Sequence, residues 1–209
     1  ALKPLAEGAY SILFNGHSTL NIDQESFVVF DISAIGEMGD RVYNAYLYNM
    51  LGLIWGEIYK NRLRNARITN EDDRRYCVAV IDESHKILNA RNTQGLDFIE
   101  KLVRRARKYD AALWFASQSP RDFAPEGVGG DLEKVKNIFG MVQYKCLLQQ
   151  DESNADLLTR LFPQFTETEI QSTANFEKGD MILSLGGGRK IRCKRYIPPE
   201  DFAYFGGGR

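Results

Sequence analysis

Three short polar stretches hold the residues able to do chemistry. The first closes an apolar run, Cys77-Val78-Ala79-Val80-Ile81, with Asp82-Glu83. Two acids at the end of a buried strand suit phosphoryl transfer. The first can hold Mg²⁺ through water, and the second can orient and polarise an attacking water. The same acids would also suit the start of the next helix. The second stretch is Ser117-Gln118-Ser119-Pro120, after the apolar run 111–116. A Gln amide there can hold that water or sense a terminal phosphate; the plainer reading is a polar turn before Pro120. The third is Arg104-Arg105-Ala106-Arg107-Lys108. A guanidinium stabilises charge on a transferring phosphoryl group, often from a neighbouring subunit, while a solvated helix C-terminus also favours cations.

Other polar residues have plainer expectations. His85 reads as a supporting or solvent-facing side chain rather than a catalytic base. Asp31 reads as a turn or cap residue. Arg189, Lys190, Arg192, Lys194 and Arg195 form a basic strand, expected mainly as an exposed edge, with a nucleic-acid or nucleotide contact as the alternative.

The elements that must position these groups follow from apolar periodicity. Phe27–Phe30 reads as a short buried strand ending at Asp31. A long helix is expected from about Gly39 to Arg64, because Tyr43, Tyr46, Leu47, Met50, Leu51, Ile54, Trp55 and Ile58 recur at three- and four-residue steps. Strands are expected over Tyr76–Ile81, Ala111–Ala116 and Met141–Leu148, and helices over 95–108, Asp131–Phe139, Asn154–Leu161 and Glu167–Thr173. Met181–Leu185 and Lys190–Tyr196 read as a terminal hairpin around Gly186-Gly187-Gly188. Strands alternating with helices imply an α/β fold, with a mainly parallel sheet covered by helices on both faces. Ligands of such sheets bind at the C-terminal strand ends, where all three strand-terminal acids and the Gln lie.

Composition narrows the class. The 209 residues are 44% hydrophobic and 26% charged, which is ordinary for a globular domain. With 27 basic and 28 acidic residues, net charge is -1, so any nucleic-acid contact must be local. No apolar run is long enough for a membrane span. Cys77, Cys146 and Cys193 are widely spaced and read as buried reduced thiols, and two histidines without a Cys-x-x-Cys pair argue against zinc. One feature of the expected chemistry is missing. A phosphate-cradling loop reads Gly-x-x-x-x-Gly-Lys-Ser/Thr, and the sequence contains no Gly-Lys pair. Together with a start at Ala1-Leu2-Lys3-Pro4, this implies a fragment whose phosphate loop lies upstream.

On these residues the chain resembles the C-terminal part of the large ATPase of conjugative type IV secretion, the VirB-four (TraC-like) family. Phe14-Asn15-Gly16 leading into 27–33 resembles the family's segment between phosphate loop and Walker B. Val78–Glu83 resembles the Walker B itself, and Arg107-Lys108 with Ser117-Gln118-Ser119-Pro120 resembles an Arg-Lys and a Thr-Gln-Ser-Pro motif. Asp151-Glu152 and the stretch from Gly179-Asp180 to Arg195 resemble the family's later segments. The chain departs from the family with Ser84-His85 in place of Ala-Trp, and Ser117 in place of Thr, without losing a needed chemical group.

The resemblance implies a RecA-like ATPase core over residues 1–209, with a helical segment at 40–70 and a flexible tail at 200–209. It implies ATP and Mg²⁺ as cofactors. Asp82 would bind the metal, Glu83 would serve as catalytic acid/base, Gln118 as sensor and Arg107 as arginine finger, with Arg105 and Arg104 behind it. It also implies a hexameric ring bound to secretion-channel proteins, on the cytoplasmic face of the bacterial cell membrane. Three other readings remain. A DNA-translocating coupling ATPase would use the same site. A DExH helicase fits Asp82-Glu83-Ser84-His85, but not Ser117-Gln118-Ser119. A non-catalytic docking module would use the aromatic helix around Tyr43–Tyr59.

Overall fold

The computed structural model describes residues 3–17, 22, 25–124, 131–186 and 188–205. The chain divides into two compact units, residues 1–77 with 109–111, and residues 78–108 with 112–209.

In the first unit, short helices α1 (Lys3–Ala6), α2 (Ser11–Phe14) and α3 (Ser33–Gly36) precede the 26-residue helix α4 (Asp40–Asn65). Gly39, at φ 93°, makes the turn into α4, a conformation L side chains rarely adopt. Asp40 lies in its first turn and Arg62 and Arg64 in its last, each complementing the helix dipole. Val42, Leu47, Leu51 and Ile58 form its buried stripe. The helix ends on a buried amide. Asn65 Nδ2 donates to the Arg75 carbonyl (2.8 Å) and to Asp110 Oδ2 (3.0 Å), and Asn65 Oδ1 accepts from the Arg75 N–H (3.1 Å). Trp55 packs on Tyr109 at 4.9 Å between ring centroids, and the Arg62 guanidinium lies 5.2 Å from that ring. Together these contacts fix residues 75 and 109–110, which lead into the next strands.

Strands β1 (Cys77–Ile81) and β2 (Ala111–Phe115) pair side by side. Cys77 N–H bonds Asp110 O, and Ala116 N–H bonds Ile81 O, so the pair is parallel. Helix α5 (Thr93–Ala106) connects them, capped by the Asn92 side chain on Gly95 N–H. Helix α6 (Leu132–Met141), capped by Asp131 on Lys134 N–H, packs against α5. Ile87, Leu88, Leu96, Ile99, Val135 and Ile138 are buried there.

The C-terminal part is an antiparallel sheet in the order β3 (Lys145–Leu147), β4 (Asp180–Ser184), β5 (Lys190–Lys194). Its register pairs Leu147 with Ile182, and Ile182 with Arg192. Helices α7 (Ala155–Leu161) and α8 (Glu167–Ser172) supply Leu158 and Ile170, which join Leu147, Ile182, Phe165 and Phe176 in one core. Thr166 and Glu169 form a reciprocal capping box at the start of α8. Glu169 also accepts from Lys190 Nζ at 2.5 Å, tying α8 to β5.

Several expectations need correction. The α/β class holds, and β1 and β2 form a parallel pair; among the described residues that pair is the extent of the parallel set, and the fourth expected strand instead pairs antiparallel with the hairpin. Val78, Val80 and Trp114 are exposed on one face of that pair, so β1 alternates in burial where a doubly covered strand would not. Phe27–Phe30 is neither strand nor buried, Phe27 being 82% exposed; four apolar residues do not make a strand without a ladder partner. Residue 141 belongs to α6, which leaves a shorter strand. The free thiols are not uniformly buried: Cys146 is exposed, and Cys77 and Cys193 are half-buried. The tail expected at 200–209 begins inside helix α9 (Pro199–Phe205), and 206–209 lie outside the described residues. Of the Gly186-Gly187-Gly188 turn, Gly187 also lies outside them.

Two stability measurements test this packing. Asn65→Ala strips the Arg75 N–H and the Asp110 carboxylate of a buried partner, and is expected to cost about 2–4 kcal/mol in urea unfolding. A cost below about 0.5 kcal/mol would mean water replaces the amide freely. The Lys190 ammonium, and after it the Thr166 groups, hold the Glu169 carboxyl below its usual range against the opposing effect of partial burial. Because the folded pKa is depressed, this stability is present above the unfolded value of about 4.3 and is lost as pH falls through the lower folded value. Glu169→Gln is therefore expected to flatten the acid limb of stability against pH, measured by unfolding between about pH 6 and 2.

Candidate active site

The parallel pairing of β1 and β2 brings their C-terminal ends together. Immediately beyond β1, Ser84 is fully buried and makes two bonds to one carbonyl. Its N–H and its Oγ both donate to Ala116 O, at 2.8 and 2.9 Å. Ser84 also opens the short turn Ser84–Lys86, and its carbonyl accepts from the N–H groups of Ile87 and Leu88. With Ser84 pinned on one side and Ile81 in the strand on the other, the two acids between them must turn sharply. Glu83 accordingly takes the left-handed conformation, φ 47° and ψ 43°. A non-glycine residue pays about 1 kcal/mol for this, and such outliers cluster at functional sites.

The turn sets the geometry of the acids. Asp82 is exposed, and its Oδ1 accepts from the Glu83 N–H at 2.9 Å. Gln118, just past β2, donates from Nε2 to Glu83 Oε1 at 2.5 Å. On the other carboxylate oxygen, His85 Nδ1 lies 3.2 Å from Glu83 Oε2. The same ring nitrogen is 3.3 Å from Ser117 Oγ and 3.9 Å from Asp122 Oδ2. The loop bearing Gln118 is itself held: Ser119 Oγ accepts from Arg121 N–H, and Arg121 donates to Asn154 Oδ1 (2.8 Å) and to the Ser153 carbonyl.

Asp82, Glu83 and Gln118 thus share one strand edge. The arginines do not join them. Arg104 pairs with Glu100 at 2.7 Å, while Arg105 and Arg107 are exposed and have no partner among the described residues. They precede β2, and Gln118 follows it, so about 16 Å of strand separates them from the carboxylate. Asp31 accepts from the N–H and Oγ of Ser33, a turn contact rather than a cap, since the N-cap of α3 is Ile32 and has no side-chain cap bond. Within the basic strand, Lys190 pairs with Glu169, Lys194 with Glu177, and Arg192 lies over the Phe176 ring. Sequence reasoning passed over Arg121 and Asp122, noted Ser117 only as part of the Gln118 stretch, and gave His85 only a supporting part. Ser84-His85 beside the acids was the available signal.

Among the described residues no cluster of three or more His, Cys, Asp or Glu side chains could cage a metal. A lone exposed carboxylate beside a second acid still fits Mg²⁺, which keeps several waters and takes its other oxygens from phosphates.

Glu83→Gly tests whether the left-handed turn serves function rather than folding. Glycine relieves the strain, so the variant is expected to keep or gain stability, by up to about 1 kcal/mol in urea unfolding, where Glu83→Ala gains nothing. A loss above about 1 kcal/mol in Glu83→Gly would mean that its side-chain contacts hold the fold.

No protein-family model matches the chain. An uncharacterized protein of Bacillus anthracis is 32% identical over 184 residues, covering 84% of this chain and 29% of that protein. Protein TraC of Escherichia coli (strain K12) is 24% identical over 158 residues, covering 76% of this chain and 16% of its own. The solved structure of VirB4 of Thermoanaerobacter pseudethanolicus matches with a TM-score of 0.75 and 28% identity, over 97% of this chain and 50% of that one. The chain spans less than a third of the two curated relatives it matches.

Proposed function

We propose that this chain, a VirB4/TraC-like segment of a type IV secretion protein, forms the hydrolytic edge of a RecA-like ATPase motor that energises conjugative transfer and secretion. The observation that carries this reading is the 2.5 Å contact between the Gln118 amide and the Glu83 carboxylate at the ends of two parallel strands. Asp82 and Glu83 would act as the Walker B acids. Asp82 would hold Mg²⁺, which when bound supplies charge neutralisation on the phosphates. Glu83 takes the role of orienting and deprotonating the attacking water, and Gln118 that of registering the terminal phosphate. A Gly-x-x-x-x-Gly-Lys-Ser/Thr loop to cradle the phosphates is not among the 209 residues, so the reading needs one elsewhere in the polypeptide.

The separation of Arg107 from Glu83 along β2 favours action on a neighbour's site. A guanidinium at the end of α5 with no partner among the described residues is suited to that role, and a closed ring such as a hexamer would give each site such a neighbour. Among the described residues no helix is long and apolar enough to cross a membrane. Attachment to channel proteins on the cytoplasmic face of the inner membrane fits this reading. A DNA-gripping role for the basic strand gains little support, since Lys190 and Lys194 already face Glu169 and Glu177.

In the full-length protein, Glu83→Gln is expected to lower ATP turnover about 10²–10⁴-fold while Mg-ATP binding, read by calorimetry, persists. Retained turnover would remove Glu83 from the chemistry. Arg107→Ala is expected to be comparably slow alone. Mixing the two inactive variants should restore part of the activity, because a mixed ring contains interfaces that join an intact Glu83 to an intact Arg107. No recovery on mixing would place the finger elsewhere.

A further inference from the structure

We propose that His85 is a positioning residue for Glu83, holding one carboxylate oxygen so that Gln118 can leave the other. The inference rests on Glu83 being the water-orienting group. Two donors meet the carboxylate from different loops: Gln118 Nε2 at Oε1, 2.5 Å, and His85 Nδ1 at Oε2, 3.2 Å. With both in place the side chain cannot swing. With Gln118 alone, turning its amide towards a phosphate would release the carboxylate at the moment it is needed. With His85 in place, Oε2 stays anchored and Oε1 is freed to face water.

The surroundings of the ring support a donor at Nδ1. Its neighbours are Glu83 Oε2, Asp122 Oδ2 and Ser117 Oγ. Ionised carboxylates only accept, and a hydroxyl can do so. A bare Nδ1 lone pair would face two carboxylates with no compensating proton. The ring is also held in place. It sits on the turn opened by the buried Ser84, and Ser117 and Asp122 contact it from the loop that carries Gln118. His85 therefore connects the acid turn after β1 to the sensor loop after β2 by a path separate from the Gln118 contact. A solvent-facing histidine would make neither connection; this side chain is only 23% exposed.

The test uses the full-length protein and its His85→Phe and His85→Asn variants. Phenylalanine keeps the ring and removes the donor; asparagine puts an amide N–H near the Nδ1 position. ¹⁵N-histidine NMR without nucleotide, with the His85 signal identified by its loss in His85→Asn, is expected to show a protonated Nδ1. With Mg-ATP, His85→Phe is expected to lower kcat about 10–100-fold with KM within about twofold, the loss typical of a displaced catalytic group, and His85→Asn to recover most of it. An unprotonated Nδ1, a wild-type kcat in His85→Phe, or no recovery in His85→Asn would each overturn the proposal. If His85→Phe fails to fold by thermal denaturation, the NMR signal and the asparagine variant still decide. Full turnover in Glu83→Gln would instead overturn the water-orienting reading, while the Nδ1 proton would still report the contact itself.

Discussion

Two hydrogen bonds to the Ala116 carbonyl fix the turn that carries Asp82 and Glu83. Ser84 donates to it from both backbone and side chain, which anchors the chain three residues beyond the last residue of β1. The parallel ladder fixes Ile81. Asp82 and Glu83 span the gap, and Glu83 does so in the left-handed conformation. That conformation aims its carboxylate at the loop following β2, where Gln118 and Ser117 stand. If Ser84 could not be buried, the acid turn would relax and the carboxylate would lose its two partners together.

Charge pairing elsewhere in the chain sharpens this picture. Lys134 pairs with Asp97, Lys190 with Glu169 and Lys194 with Glu177, so these cations already have acidic partners within the chain. Arg121 is spent on Asn154 and Ser153, bracing the loop that follows β2. Arg105 and Arg107 differ in having no such partner among the described residues, although they are not near the carboxylate of their own chain. A guanidinium left exposed at the end of a helix, without a local acid, is available to a second subunit at little desolvation cost.

Much of the fold could be read from the sequence because its signals are local. The periodic apolar stripe of α4, the helices expected over 95–108 and Asp131–Phe139, and the hairpin around Gly186 each arise within a few residues. The failures are non-local. Phe27–Phe30 has a strand's composition but no ladder partner, and the pairing of β3 with β4 joins residues separated by more than 30 positions. The exposed face bearing Val78, Val80 and Trp114 could not be foreseen from apolar runs alone. At the candidate site, Asp82, Glu83 and Gln118 were legible because each ends a strand. The grip of His85 and Asp122 was not, since it depends on how two loops far apart in the chain fold back on each other.

The central claim is that a nucleotide's terminal phosphate is handled at the common edge of β1 and β2. The most direct measurement is a structure of the full-length protein with Mg²⁺ and a non-hydrolysable ATP analogue. The account predicts that the γ-phosphate faces Asp82, Glu83 and Gln118, with Gln118 turned from Glu83 towards the phosphate. A nucleotide seated away from that edge, with the Gln118–Glu83 contact intact, would contradict it.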